Sequence, residues 1–340
     1  VISAEICEQW YDVGHVENYF TSKQMLLKAR YFNSLKFDKA SEIVTKTSEN
    51  VQKLIDEIEW YKKIPNELSK LIPKIIDSNQ SKKPFLKLEY IKYPTLAELW
   101  LYSDFSSKLW VEILENLFKI LKQFNEYSKF VSVDDYNLIY KTKTEERINE
   151  LINSNEYFKR ILEEDTLLIN GKKYHNWSVI KKQIELKIRD LYHEQDNCLT
   201  HGDLCFSNIF CDFKNKNFKL IDPRGKWGSD MYGDLKYDVA KLRHSIVGGF
   251  DTITNGLYST SLSGNNQITV KIFKPKNYQE ICAHLDNLIK SKWNLDEIKL
   301  IEGLLFISML PLHKDHFERQ LAFYSIGIQR LNEVLDKTDE

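Results

Sequence analysis

The feature that most constrains this chain is a pair of short apolar runs, residues 209–213 and 218–221, separated by Lys214-Asn215-Lys216-Asn217. Two strand-forming runs around a polar turn predict a β-hairpin. A hairpin brings the residues before its first strand beside those after its second. The flanks here are Thr200-His201-Gly202-Asp203-Leu204-Cys205-Phe206-Ser207-Asn208 and Asp222-Pro223-Arg224-Gly225. Pairing Phe213 with Phe218 sets Ile209 opposite Asp222 and Asn208 opposite Pro223. Asn208 and Asp222 then lie within one residue of facing each other, and Asp203 arrives on the same loop.

Three oxygen-bearing side chains gathered in this way suit one chemistry. Magnesium takes hard oxygen ligands and is usually held by one or two protein groups plus phosphates and water. An Asn carbonyl oxygen and an Asp carboxylate meet that need. A second carboxylate kept off the metal, Asp203, can accept the proton of an attacking hydroxyl or orient it. Phosphoryl transfer asks a protein mainly to position reactants and neutralise charge. Taken singly, Asp203 and Asn208 equally suit turn or cap positions.

The ordered set His201-Gly202-Asp203, Asn208, hairpin, Ile221-Asp222 resembles the catalytic and metal loops of the aminoglycoside phosphotransferase and choline kinase superfamily. The resemblance implies an α+β, protein-kinase-like two-lobed fold, with a small β-rich N-lobe carrying one key helix and a larger, mostly helical C-lobe. It implies that Asp203 is the catalytic base, that Asn208 and Asp222 bind magnesium or manganese, and that His201 braces the loop. ATP or GTP is then the phosphoryl donor. Lys46, in a predicted strand over 42–47, is placed like the lysine that holds the α- and β-phosphates. Glu57 and Glu59 both flank the apolar stripe of the following helix, so helix phase leaves its ion-pair partner open. The Glu57-x-x-Trp60-Tyr61 pattern is similar to bacterial members of the superfamily and selects Glu57. Solvated charges on a strand and a helix would read the same way.

The chain also departs from the kinase pattern. Arg30-Tyr31-Phe32-Asn33-Ser34-Leu35 stands where a Gly-rich loop would lie, which leaves the backbone amides of Asn33 and Ser34 as turn groups for a phosphate. Arg224, after Asp222-Pro223, adds a cation expected near the nucleotide phosphates. The resemblance makes Glu89-Tyr90-Ile91 the hinge whose backbone binds the base, and Asp238 a carboxylate that accepts hydrogen bonds from the catalytic-loop backbone. Asp234 reads as the N-cap of the same helix. His244, Asp251, His313 and Asp315 are candidates for the acceptor site, and equally suit loop caps and solvated charges.

Helical spacing marks 48–63, 96–102, 107–127, 143–152 and 177–192, and after residue 234 the long segments 235–246, 278–289, 295–308 and 315–335. Strands are expected over 25–35, 42–47 and 85–91. Taken with the resemblance, these imply an N-terminal segment at 1–24, a nucleotide-binding lobe at 25–92 and a catalytic, acceptor-binding lobe at 93–340. Trp10-Tyr11-Asp12-Val13-Gly14-His15 resembles the end of a sugar-nucleotidyltransferase domain, implying fusion to or association with one.

Charge narrows the partners. With 48 basic and 49 acidic residues there is no global excess to draw the chain to nucleic acid or a membrane surface. The apolar run 303–312 is too short to span a bilayer. Cys7, Cys198, Cys205, Cys211 and Cys282 are odd in number and scattered, the pattern of reduced thiols in a cytoplasmic protein. The expected reaction is transfer of a γ-phosphate to a hydroxyl of a sugar, polyol or amino alcohol. Leu242–Asp251 and Pro311-Leu312-His313-Lys314-Asp315 resemble a bacterial subgroup associated with surface polysaccharides. The alternatives are an aminoglycoside-modifying enzyme, a silent nucleotide-binding module, and a protein kinase. The absent Gly-rich loop and the His-Gly-Asp motif weigh against the last.

Overall fold

A computed structural model describes residues 33–336, and the chain divides into two units between Lys92 and Tyr93. The expectations for 1–24, for the nucleotidyltransferase-like segment and for a strand over 25–32 fall outside the described residues.

The N-terminal unit is an antiparallel sheet of order β1-β2-β4-β3 with one long helix. Strand β1 (Asn33–Asp38) pairs with β2 (Ile43–Ser48), setting Leu35 opposite Lys46. Helix α1 (Val51–Lys63) comes next, then β3 (Ile75–Asn79) and β4 (Phe85–Glu89). Asn33 and Ser34 correct the sequence reading. They are the first residues of β1, paired with Ser48 and Thr47, and their extended backbone is not a turn that cradles a phosphate. The cap of α1 also differs. Ser48 is drawn into β2, and the Asn50 side chain accepts from the Lys53 amide instead. Strand β3 was not foreseen, because Asp77, Ser78 and Asn79 blur a short edge strand.

The C-terminal unit begins with α2 (Leu96–Tyr102), capped by Thr95 in a capping box with Glu98, and α3 (Ser107–Asn125). Helical spacing sets Leu109, Ile113, Leu117, Ile120 and Phe124 on one stripe of α3; Leu109 is half-buried and the other four are buried. Helix α4 (Val133–Tyr136) runs through a π-helical stretch, Asn137–Thr142, into α5 (Lys143–Ser154), followed by α6 (Glu156–Glu163). Next come β5 (Thr166–Ile169), β6 (Lys172–His175), α7 (Trp177–Arg189) and β7 (Asn197–Leu199). The hairpin is β8 (Ile209–Asp212) and β9 (Asn217–Leu220), and β10 (Tyr232–Asp234) leads into α8 (Leu235–Ile246) and α9 (Phe250–Thr254). The chain closes with β11 (Tyr258–Ser263), β12 (Gln267–Ile272), α10 (Tyr278–Lys290), α11 (Leu295–Ser308) and α12 (Phe317–Leu335).

Sequence periodicity missed a four-stranded sheet of order β11-β12-β5-β6. Its turn signals were present: Asn170-Gly171 joins β5 to β6, both residues at positive φ as a two-residue hairpin requires. No helix among the described residues is long and apolar enough to cross a membrane.

Helix α8 organises the site. Every residue from Leu235 to Ile246 is buried, including Lys236, Asp238, Lys241, Arg243 and His244. A buried charge is tolerated only when it is paired or hydrogen-bonded, so these side chains mark where polar structure gathers inside the unit.

Candidate active site

The hairpin closes two residues away from the expected register. Ile209 pairs with Leu220, Cys211 with Phe218 and Asp212 with Asn217, which leaves Phe213 in the turn. Turn chemistry accounts for the shift: the Asp212 carboxylate accepts from the Asn215 backbone amide at 3.3 Å and from its side chain at 2.7 Å. A slip of two preserves the faces, and Ile209, Cys211, Phe218 and Leu220 all point inward. The Ile221 amide donates to the Asn208 carbonyl at 3.0 Å, so Asp222 still comes one residue past Asn208's partner. Asp222 has φ +56°, a left-handed conformation that Asp adopts more readily than most residues.

Loop 201–208 is braced from several sides. Asp238, fully buried, accepts from the backbone amides of His201 at 2.7 Å and Gly202 at 2.8 Å. Burial pushes the Asp238 carboxyl up to about 7, against the pull of those two amides. The Arg224 amide donates to the His201 carbonyl, and the Phe206 amide to the Ser245 hydroxyl. Gly202 lies at φ +74°, and a Cβ there would come within 2.6 Å of Arg224 Cβ, so both conformation and space require glycine. His201 is buried and its pKa falls to about 4, chiefly from burial. It is therefore neutral, with Nδ1 accepting from the Asp203 amide at 3.3 Å.

Asp203 itself lies against Lys241, Oδ1 to Nζ at 2.9 Å, with 21% of its side chain exposed. Burial opposes the Lys241 charge, but Asp203 and Tyr237 more than offset it and the ammonium is held well above its usual range. Lys241 was missed in the sequence, although it stands three residues after Asp238 on one helix face.

Asn208 donates from Nδ2 to the Asp203 carbonyl at 2.9 Å, which fixes its amide and presents Oδ1 as the atom for a cation. Together with the exposed Asp222 carboxylate this makes one amide oxygen and one carboxylate, a donor set that fits magnesium sharing its remaining positions with phosphate and water. Among the described residues, no three His, Cys, Asp or Glu side chains gather as a denser metal site.

In the N-terminal unit, Lys46 Nζ lies 2.9 and 2.7 Å from the two carboxylate oxygens of Glu57, both residues buried. Glu59 pairs instead with Lys63 on the surface. At the end of β4 the Glu89 amide donates to Lys74 and the Tyr90 amide to Glu42. Of the hinge amides, the one at Ile91 lies outside that network.

The acceptor candidates separate. His244 is fully buried, its ring 4.4 Å from that of Phe250 and 4.2 Å from that of Phe306, and burial drives its pKa far down. Asp251 is fully buried too; the hydroxyls of Ser245 and Ser207 lie beside it without an aligned hydrogen bond, and burial raises its carboxyl to about 6. His313 packs edge-on against Phe323 at 5.0 Å and lies near enough to His244 to influence its charge. Asp315 is not gathered with them. It is 73% exposed and faces Arg319 one turn on, the position of a solvated helix-end charge.

A further group went unrecognised. The Tyr237 hydroxyl, buried beside the loop, accepts from Arg224 Nη1 at 3.2 Å and Lys143 Nζ at 3.3 Å. No short-range motif links residues 143, 224 and 237, and only the fold brings them together.

No protein-family model matches the chain, and no curated protein does. Solved structures are similar in shape. The aminoglycoside phosphotransferase APH(2'')-Ib with ADP bound is 16% identical, with 94% of this chain and 98% of that one covered and a TM-score of 0.53. An aminoglycoside-3'-phosphotransferase of type VIII is 11% identical (92% and 99% covered, TM-score 0.43), and a choline kinase from Cryptosporidium parvum 14% identical (96% and 96%, TM-score 0.40). With its small β-sheet N-terminal unit and mostly helical C-terminal unit, this chain has the protein-kinase-like fold.

Proposed function

We propose that the protein is a phosphotransferase that moves the γ-phosphate of ATP or GTP to a hydroxyl of a small molecule. The observation that carries this reading is the Asp238 clamp. A fully buried carboxylate is committed to two backbone amides of loop 201–203, and the residue that loop presents, half-buried beside a lysine, is Asp203. Such an arrangement preorganises one carboxylate to accept or orient the proton of an attacking hydroxyl.

Lys241 Nζ, 2.9 Å from Oδ1, orients the Asp203 carboxylate. Asn208 Oδ1 and Asp222 would hold magnesium or manganese, which when bound neutralises charge on the phosphate oxygens. Lys46, anchored by Glu57, would pair with the α- and β-phosphates, and the Ile91 backbone would contact the base. The acceptor would be a small hydroxyl compound such as a sugar, polyol or amino alcohol, with His244, Asp251 and His313 as the candidate polar groups behind its site. The resemblance of Leu242–Asp251 to a surface-polysaccharide subgroup favours a role in that class of pathway.

The test is a transfer screen with ATP and GTP across sugars, polyols, amino alcohols and aminoglycosides, read as nucleoside diphosphate release and phosphorylated acceptor. Acceptor-dependent release that requires a divalent cation is expected. Binding of the nucleotide with no transfer to any acceptor would instead make the chain a silent nucleotide-binding module.

A further inference from the structure

The C-terminal unit holds cations beside Asp203 that the transfer chemistry above does not use. Lys143, the first residue of α5, and Arg224 both donate to one atom, the Tyr237 hydroxyl oxygen. Both also lie near the Tyr237 ring, at 5.2 and 5.9 Å from its centre. Neither makes an ion pair with a carboxylate among the described residues. The remaining Arg224 bond runs from Nε to the Lys226 carbonyl, which is neutral. Asp203 is already engaged by Lys241, and Asp238 by two backbone amides.

Two cations sharing a phenolic oxygen repel each other, and a half-buried site weakens the screening that water would provide. Burial is what chiefly brings the Lys143 ammonium down to about 8; Tyr237 pulls it back up in part, and the Arg224 charge lowers it further. The Tyr237 phenol is drawn down to about 8, the cations outweighing its burial, so at neutral pH it remains mostly protonated. One mostly neutral phenol does not balance two cations. With its oxygen accepting from both, its proton has no acceptor among the described residues. The site thus offers an ammonium, a guanidinium and a hydroxyl donor, which is the complement of an oxyanion. The stem of Arg224 lies on Gly202, the residue before Asp203, so an anion here would sit next to the transfer loop.

We propose that Lys143, Arg224 and the Tyr237 hydroxyl form an anion subsite, and that the hydroxyl acceptor carries a phosphate or carboxylate group that occupies it. The subsite rests on the phosphotransferase reading for its role but not for its existence. It moves Arg224 from the nucleotide to the acceptor. It also disfavours cationic acceptors, aminoglycosides and amino alcohols included, because an ammonium placed beside Lys143 and Arg224 meets like charge.

Two measurements test it. The first is equilibrium titration with inorganic phosphate at constant ionic strength, without nucleotide, on the wild type, Lys143→Gln and Arg224→Gln. Lys143→Gln removes a poorly solvated charge and is expected to fold, which far-UV circular dichroism verifies. Each variant should bind phosphate about ten- to a hundred-fold more weakly, the loss of one charge-assisted bond. Unchanged phosphate affinity in both variants overturns the subsite.

The second compares acceptors on one skeleton, such as glucose, glucose 6-phosphate, gluconate and glucosamine, with matching pentose and glycerol series. The anionic members should be the best acceptors, and the phosphate and carboxylate arms separate the two anion classes. Lys143→Gln should raise the acceptor KM and leave the nucleotide KM unchanged. If glucosamine or glucose is preferred, or if the nucleotide KM rises instead, the subsite is refuted while the transfer reading stands. If phosphate binding depends on Lys143 but no acceptor is phosphorylated, the transfer reading fails and the subsite stands.

Discussion

Of the lysines that lie against carboxylates, Lys46 and Lys241 belong to pairs built in opposite senses. Lys46 in the N-terminal unit is held by both oxygens of Glu57, and the side chains are 9% and 4% exposed. Lys241 in the C-terminal unit touches one oxygen of Asp203; here the lysine is 11% exposed and the carboxylate 21%. In the first pair the carboxylate is the buried holder and the lysine the more accessible member. In the second the lysine holds and the carboxylate is presented. The more accessible member is in each case the one to which the proposed chemistry assigns work. Lys143 and Arg224 extend the series to cations with no carboxylate partner among the described residues, which is why they point to a ligand.

The largest way to break the comparison is at the presented carboxylate. Asp203→Asn should lower turnover by about two to four orders of magnitude with nucleotide affinity near wild type. Steady-state turnover beside a nucleotide titration would measure both, and near-normal turnover would remove Asp203 from the reaction.

Next is the buried holder. Lys46→Met removes the cation bound to both oxygens of the buried Glu57 carboxylate, a loss of about 3–5 kcal/mol of stability if the site cannot relax. Adding Glu57→Leu should restore much of it, because the buried carboxylate is gone. Denaturant unfolding of the two variants decides the matter. A double variant no more stable than Lys46→Met would show that the pair acts through something other than mutual neutralisation.

The smallest effect concerns a carboxylate that makes no ion pair among the described residues, Asp251. Burial raises the Asp251 carboxyl from 3.8 to about 6 in the folded chain. A raised folded value means that the folded state holds this proton more tightly, so its contribution is full below pH 4 and is lost as pH rises through about 6. Asp251→Asn should therefore gain stability relative to wild type between those limits, by about 1–3 kcal/mol. The difference between the two unfolding free energies, followed against pH, isolates this group from His201 and His244, whose lowered values act in the opposite direction. A pH-independent difference would mean that Asp251 has an ordinary carboxyl.

Local patterns carried much of the fold. The apolar stripe of α3, the Thr95 start of α2 and the strand that carries Lys46 are set by period and capping, which depend on neighbours a few residues apart. The β5–β6 hairpin carries its turn signal in Asn170-Gly171, but its two strands are only four residues each and lie between segments of helical spacing. The hairpin register depended on where Asp212 closed its turn, a detail that apolar runs do not encode.

By itself the sequence determined the order and spacing of His201, Gly202, Asp203, Asn208 and Asp222, since a hairpin converts a short separation into proximity. Only the tertiary structure decided what surrounds them. Helix α8 is buried on every side, so Asp238 and Lys241 must find partners inside the unit and do so on loop 201–208, while Tyr237 collects Lys143 and Arg224 from segments far apart in the chain. Long-range charge pairing is set by packing, and no local pattern records it.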